Sequence, residues 1–260
     1  MSFEKRNALA YINTEHTDRV VVMGDIHGDL DSFQKAVDHW GLKGLLIFLG
    51  DYADRGPNGV EVIEGVLNLL QQHPQKVIAL KGNHEDYSPE GRPSFSPCTL
   101  MYEVEQKKGS WSFYFPTLQH FFDQLYLSAI LPGHTLFLHG GICTAMHSPE
   151  VLATPEKKVV REILWSDPGP YPGTQSNIRG AGSVFGPDIT QQVLSGLGLQ
   201  SLIRSHQPRK AVRGPAVEHN GHVVTTSSTR VYGGRPFVLD LDLNSYPTGE
   251  KDFLDSAVFL

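Results

Sequence analysis

Six side chains able to bind a metal ion stand at the ends of apolar runs, most of them beside glycine. They are Asp25 and His27 in Gly24-Asp25-Ile26-His27-Gly28, Asp51 after Gly50, Asn83 after Gly82, His139 before Gly140-Gly141, and His206 in Arg204-Ser205-His206. Two carboxylates, one amide oxygen and three imidazoles make a mixed oxygen and nitrogen donor set that suits manganese, iron or zinc better than calcium or magnesium. Six donors exceed what one catalytic ion with an open position needs, and are about right for two ions sharing a bridging ligand. Each residue taken alone has a plainer explanation. An Asp at a strand end commonly caps a turn, and a His there is commonly a satisfied, partly buried side chain. The metal reading therefore rests on the set. Asp25 and His27 are two residues apart, and on an extended chain such residues share a face, so they are expected to meet one ion together.

The apolar runs that deliver these residues read as buried strands. Val20 to Met23, Leu45 to Leu49, Val77 to Leu80, Leu136 to Leu138 and Leu202-Ile203 are short, rich in β-branched and aliphatic residues, and each leads into one candidate position. Two further strands are expected near residues 222–226 and 236–241. Between the early strands, Leu30, Phe33, Val37 and Trp40, then Val60, Ile63, Leu67 and Leu70, recur at helical spacing. Asn58 with Glu61 three residues on reads as an N-terminal cap of the second helix. Strand and helix in alternation predict an α/β fold, and such sheets bind ligands beyond the carboxyl ends of their strands.

The segment from Asp86 to Phe122 gives no clear pattern. Its aromatic cluster, Trp111, Phe113, Tyr114 and Phe115, reads either as core or as the wall of a peptide groove. Pro168 to Gly173 is too rich in proline and glycine for regular structure and reads as a surface loop. Candidate ligands spread from residue 25 to 206, with no linker or repeat between them, predict one catalytic domain over residues 1–260.

Composition narrows the function classes. A hydrophobic fraction of 40% against 19% charged residues is that of a globular chain with a large core. The formal net charge is −6 and no basic run exceeds a Lys pair, so a nucleic-acid backbone is not the expected partner. No apolar run approaches the ~20 residues of a membrane span, and the stretch Met1 to His16 lacks the apolar region of a signal peptide. Two lone cysteines, Cys98 and Cys143, form no disulfide framework. A reduced, cytoplasmic setting is expected.

Taken in order, Gly24-Asp25-Ile26-His27-Gly28, Gly50-Asp51-Tyr52-Ala53-Asp54-Arg55-Gly56, Gly82-Asn83-His84-Glu85 and His139-Gly140-Gly141 resemble the metallophosphoesterases. Within them, the chain is most similar to the phosphoprotein phosphatases, the serine/threonine protein phosphatase family. Leu164-Trp165-Ser166-Asp167-Pro168, Arg179-Gly180 with Phe185-Gly186, and Arg204-Ser205-His206-Gln207 also look like that family, so the resemblance runs from about residue 19 to 240.

The resemblance implies a sandwich of two mixed sheets flanked by helices, with a dinuclear metal site at the strand carboxyl ends. Asp25 and His27 would hold the first ion and Asp51 would bridge. Asn83, His139 and His206 would complete the second. Arg55, Arg179, Arg204, Asn83 and Tyr232 would lie near the substrate phosphate, and His84, paired with Asp54, would be the catalytic histidine. These roles are chemically coherent. Two cations lower the pKa of water towards neutrality, guanidinium groups grip phosphoryl oxygens in a fork, and an imidazolium can protonate a leaving alkoxide. Arg204 also has a purely structural reading.

The implied substrate is a phosphoprotein or a small phosphorylated molecule, with no regulatory subunit evident and manganese, iron or zinc as the metal. The stretch Ser227 to Gly233 departs from the family's usual Ser-Ala-Pro-Asn-Tyr-Cys loop, keeping Tyr232 but not the cysteine, and the segment after Glu85 departs too. A symmetrical dinucleoside tetraphosphate hydrolase or another small-molecule phosphoesterase is the alternative. Glu85, Trp165 to Asp167 and Arg204 to Gln207 favour the protein phosphatase. A non-catalytic scaffold would be expected to have lost a ligand or the proton donor, and here all are present.

Overall fold

A computed structural model describes residues 1–40 and 43–260 of the chain. Two large β-sheets lie face to face, with helices covering the outer face of each. In the five-stranded sheet, Arg19–Met23, Leu45–Phe48 and Val77–Ala79 pair in parallel, and Phe237–Asp242 and Ala257–Phe259 extend it antiparallel. In the seven-stranded sheet, Thr135–Leu138, Ser201–Arg204 and Val223–Thr225 run parallel to one another. Ser128–Leu131 joins Thr135–Leu138 as a hairpin. A third, three-stranded sheet over residues 167–185 was not expected from the sequence.

Alternation along each strand builds the layers. Val20 and Val22 point between the sheets, towards Phe137, Ile203 and Val224. Val21 and Met23 point the other way, beneath the helices Leu30–Trp40 and Gly59–Gln72. Both faces of such a strand are buried, which is why it reads as an unbroken apolar run. The helices Lys157–Trp165 and Pro187–Leu197 cover the far side of the second sheet through Ile163, Leu164 and Val193.

Three local expectations resolve differently. Asn58 stands at the start of the second helix, yet its side chain makes no capping bond. The carboxylate of Glu103 does the capping from another helix, accepting from the N–H groups of Gly59 (3.0 Å) and Val60 (2.9 Å). Orphan N–H groups at a helix start take any acceptor that packing brings, and Glu103 lies 44 residues away in sequence. The segment after Asp86 holds two helices, Leu100–Lys108 and Trp111–Phe122. Trp111 and Phe115 belong to the core, Tyr114 is half-buried, and Phe113 faces outward, so the cluster does not form one groove wall. Among the described residues, no helix is long and apolar enough to cross a membrane.

Candidate metal and phosphate site

The carboxyl ends of strands from both sheets meet at one place. Asp25 follows Arg19–Met23, Asp51 follows Leu45–Phe48, Asn83 follows Val77–Ala79, His139 follows Thr135–Leu138 and His206 follows Ser201–Arg204. The chain takes a left-handed turn at Asp51, at His206 and, two residues past Asp25, at His27. His27, Asp51, Asp54, Arg55 and His206 all have positive φ, between 49° and 71°, five of the eight non-glycine residues that do so among those described. Such backbone costs on the order of 1–3 kcal/mol per residue and collects at functional sites. Asp25 and His27 do come together, Oδ2 to Nε2 at 3.9 Å. They do so through the left-handed turn at His27, not through the shared face of an extended strand.

Two glycines make the close approach possible. Gly50 has φ +101°, and a Cβ there would fall 2.3 Å from the Gly82 nitrogen; one on Gly82 would fall 2.3 Å from Asp51 Oδ1. Beneath them lies the buried carboxylate of Glu85. It accepts from the N–H groups of Asp51 (2.9 Å), Tyr52 (3.0 Å) and Gly82 (2.9 Å), tying two site turns together. A short helical turn over Asn83–Glu85 then lets the adjacent Asn83 and His84 both line the cleft.

Each of three histidines turns Nε2 to the centre because its other nitrogen is engaged. His27 Nδ1 lies 2.9 Å from the carbonyl of Ala53, and His139 Nδ1 lies 2.8 Å from the carbonyl of Leu49. A carbonyl only accepts, so the proton sits on Nδ1 and the Nε2 lone pair is free. His206 Nδ1 lies 3.0 Å from Asp167 Oδ1. Burial pushes His27 down to about 4 against the pull of Asp25, and pushes His139 and His206 below the usual imidazole range as well. Neutral imidazoles are what a metal requires.

Asp51 stands between two of them. Its Oδ2 is 3.5 Å from His27 Nε2 and its Oδ1 is 3.4 Å from His139 Nε2. Ligand atoms gather in two groups within 4.8 Å: His27, Asp51 and His84, and Asp25, Asp51 and His139. Asp51 belongs to both. Burial drives its carboxyl well above the ordinary value, a cost that a nearby cation would remove.

The residues fit a cation on one further observation. Asp25 Oδ2 and His206 Nε2 are buried with no hydrogen-bond partner. A buried acceptor left unpaired costs about 1–3 kcal/mol, and a cation held between such atoms would remove that cost.

Around this cluster lies a pocket of about 220 Å³, lined among others by Arg55, His84, Arg179 and Tyr232. His84 Nδ1 is 2.7 Å from Asp54 Oδ2. The other oxygen of Asp54 accepts from the N–H groups of Thr99 and Leu100. Burial opposes the charge on Asp54, but His84 and those two amides outweigh it and hold the carboxyl below its usual value. Burial likewise opposes charge on His84, yet Asp51 and Asp54 together raise it.

Arg204 is a correction. It is fully buried and does not line the pocket. Its guanidinium donates to the carbonyls of Gly140 and Ser166, to Gln207 and to Asp167 Oδ1 at 2.9 Å. It braces the wall that carries His139 and His206 and has no reach to a substrate phosphate. Asp167, in the Trp165-Ser166-Asp167 motif, pairs with Arg204, Arg179 and His206 at once, a role that only packing reveals.

Residues 18–210, about three quarters of the chain, match the calcineurin-like phosphoesterase family. The chain belongs to the calcineurin-like phosphoesterases.

Similar members include serine/threonine-protein phosphatase 5 of Arabidopsis thaliana, 30% identical over 239 residues, covering 86% of this chain and 42% of the relative. The Homo sapiens protein of the same name is 30% identical over 251 residues, covering 88% and 46%. This phosphoesterase chain thus spans less than half the length of those relatives. Among solved structures, a serine/threonine phosphatase of Saccharomyces cerevisiae with similarity to human phosphatase PP5 superposes with a TM-score of 0.80 at 24% identity, covering 99% of this chain and 83% of that one. A cold-active protein-tyrosine phosphatase of a psychrophilic Shewanella species gives 0.58 at 14% identity, covering 98% and 83%. Both structures share the fold of this chain.

Proposed function

We propose that this phosphoesterase is a phosphomonoester hydrolase acting on phosphoserine and phosphothreonine side chains, with Asp25, His27, Asp51, Asn83, His139 and His206 as its metal ligands. One observation carries the reading. His27, Asp51, Asn83 and His206 line a single pocket with His84, Arg55 and Arg179, while Asp54 backs His84 from beneath, so charge neutralisation, phosphate binding and a proton source converge there. Relatives named as serine/threonine phosphatases support the choice of substrate.

When bound, two divalent cations supply Lewis-acid charge neutralisation at phosphorus and bring the pKa of water towards neutrality. Arg55 and Arg179 grip the equatorial phosphoryl oxygens, where negative charge builds. Arg179 is steadied for this by Asp167, 2.9 Å from its Nε. Asn83 lies beside them in the same pocket and offers its amide to both the phosphate and the ligand set. Tyr232 packs edge-on against His27 at 5.6 Å and closes one side. His84 carries a proton on each ring nitrogen when charged. One is shared with Asp54, and the other is given to the departing alkoxide, so the leaving group departs as an alcohol.

The test is phosphate release from phosphoserine and phosphothreonine peptides alongside diadenosine tetraphosphate, with and without a chelator and with manganese, iron or zinc restored. Peptide turnover abolished by chelation and restored by metal is expected. Cleavage of the dinucleotide alone would replace the protein substrate with a nucleotide one, and full activity after chelation would refute the metal ligands.

A further inference from the structure

Four cationic side chains, Arg55, Arg179, Arg209 and Lys210, line the pocket of a chain whose formal charge is −6. Two of them are already matched: Arg179 with Asp167 at 2.9 Å and Lys210 with Glu218 at 2.8 Å. Among the described residues, neither Arg55 nor Arg209 has a carboxylate within the 4.0 Å of an ion pair. Arg55 follows Asp54 directly and serves the scissile phosphate in the reading above. Arg209 is left without an assignment.

Arg209 is also placed with some rigidity. It follows the buried Pro208 in a turn that starts at the left-handed His206, whose own N–H donates to Asp25 Oδ1 at 3.0 Å. The turn is closed by Gln207 N–H to the Ser205 carbonyl (2.8 Å) and by Ala211 N–H to the Pro208 carbonyl (3.1 Å). The guanidinium lies 5.5 Å from the centroid of the Tyr232 ring, and that ring stands against His27. Stacking on an aromatic face orients a guanidinium while leaving its N–H fork free. The neighbouring cleft beyond Arg179 mixes signs: Asp86 stands there beside Lys157 and Arg161, and Arg161 already donates to the Gly180 carbonyl at 2.7 Å.

We propose that Arg209 is a specificity-determining residue that pairs with a carboxylate side chain flanking the phosphorylated residue, so that the enzyme prefers acidic phosphopeptides. The proposal rests on the protein-phosphatase reading. The partner must be anionic because the unmatched group is a cation. It must be close in sequence to the phosphorylated residue because Arg209 shares the pocket that holds His84. Arg209 is exposed, and an exposed charge pair of this kind favours one substrate by roughly two- to fivefold and weakens with salt.

The experiment measures kcat/KM for phosphate release by the manganese-loaded full chain on three phosphoserine peptides, identical except for Glu, Gln or Lys at the positions on either side of the phosphoserine. Wild type should favour Glu over Gln by about two- to fivefold, less in high salt. In Arg209→Gln that ratio should fall to about one, and Arg209→Glu should move the preference to the Lys peptide. A wild-type ratio of one, or a Glu preference that survives Arg209→Gln, would overturn the assignment of Arg209 alone. Turnover of p-nitrophenyl phosphate with none of any peptide would overturn the substrate reading and this inference with it.

Discussion

Replacing His84 by Asn separates proton donation from metal binding. In the structure His84 is held by one strong contact, Nδ1 to Asp54 Oδ2 at 2.7 Å, and its free nitrogen lies within reach of His27 and Asp51. The ring is therefore either a proton donor or a seventh ligand, and the two roles predict different losses. General acid catalysis contributes typically 10²–10⁴-fold, and most for a poor leaving group. A serine alkoxide cannot depart unprotonated, whereas p-nitrophenolate needs little help. His84→Asn should thus slow phosphoserine peptide turnover by about 10²–10⁴-fold. The loss on p-nitrophenyl phosphate should be smaller, with KM little changed and bound metal intact. The assay is the ratio of the two rate losses, with metal content measured on the same samples. Asp54→Asn should follow the same pattern more weakly, since it acts through the imidazole. Equal losses on both substrates, or loss of metal, would falsify proton donation by His84.

Asp51→Asn should reduce bound metal and kcat more than Asp25→Asn, because its two oxygens face different histidines; elemental analysis beside turnover checks this, and a fully loaded Asp51→Asn would refute the bridge. Arg204→Ala should destabilise the fold by about 3–5 kcal/mol in denaturant unfolding, by removing one buried partner of Asp167 and leaving the carbonyls of Gly140 and Ser166 without their donor, and an unchanged midpoint would refute its bracing role. The pH dependence of that network is set by Asp167. Burial works against its charge, but His206, Arg204 and Arg179 hold its carboxyl well below the ordinary range. Its folded pKa is thus depressed, so its contribution is present above the unfolded value of ~3.9 and is lost as pH falls through the folded one. Asp167→Asn should accordingly lie furthest below wild type in stability at neutral pH, with the gap closing in acid. A gap that is constant from neutral pH into acid would contradict this.

Much of the site was legible along the chain. Asp, His and Asn stand out as candidate ligands because an apolar run breaks at each of them and a neighbouring glycine marks a turn. The strand at Val20 to Met23 and the helix at Leu30 to Trp40 are equally local, fixed by periods of two and 3.6 residues. What tertiary structure alone decided depends on residues far apart in sequence. Arg204 and Arg55 are alike as letters in motifs. Only packing shows that the first is sealed against Ser166 and Asp167 while the second opens onto the pocket. Glu103 caps a helix that Asn58 was expected to cap, because an acceptor from a neighbouring helix arrived with better geometry. The tautomers of His27 and His139 follow from the carbonyls of Ala53 and Leu49, and Arg209 becomes notable only once its neighbours prove to be matched and it does not. Sequence determines which groups are present and which elements carry them. The dielectric around each group, and the partner that satisfies it, are set by contacts between segments that only the fold brings together.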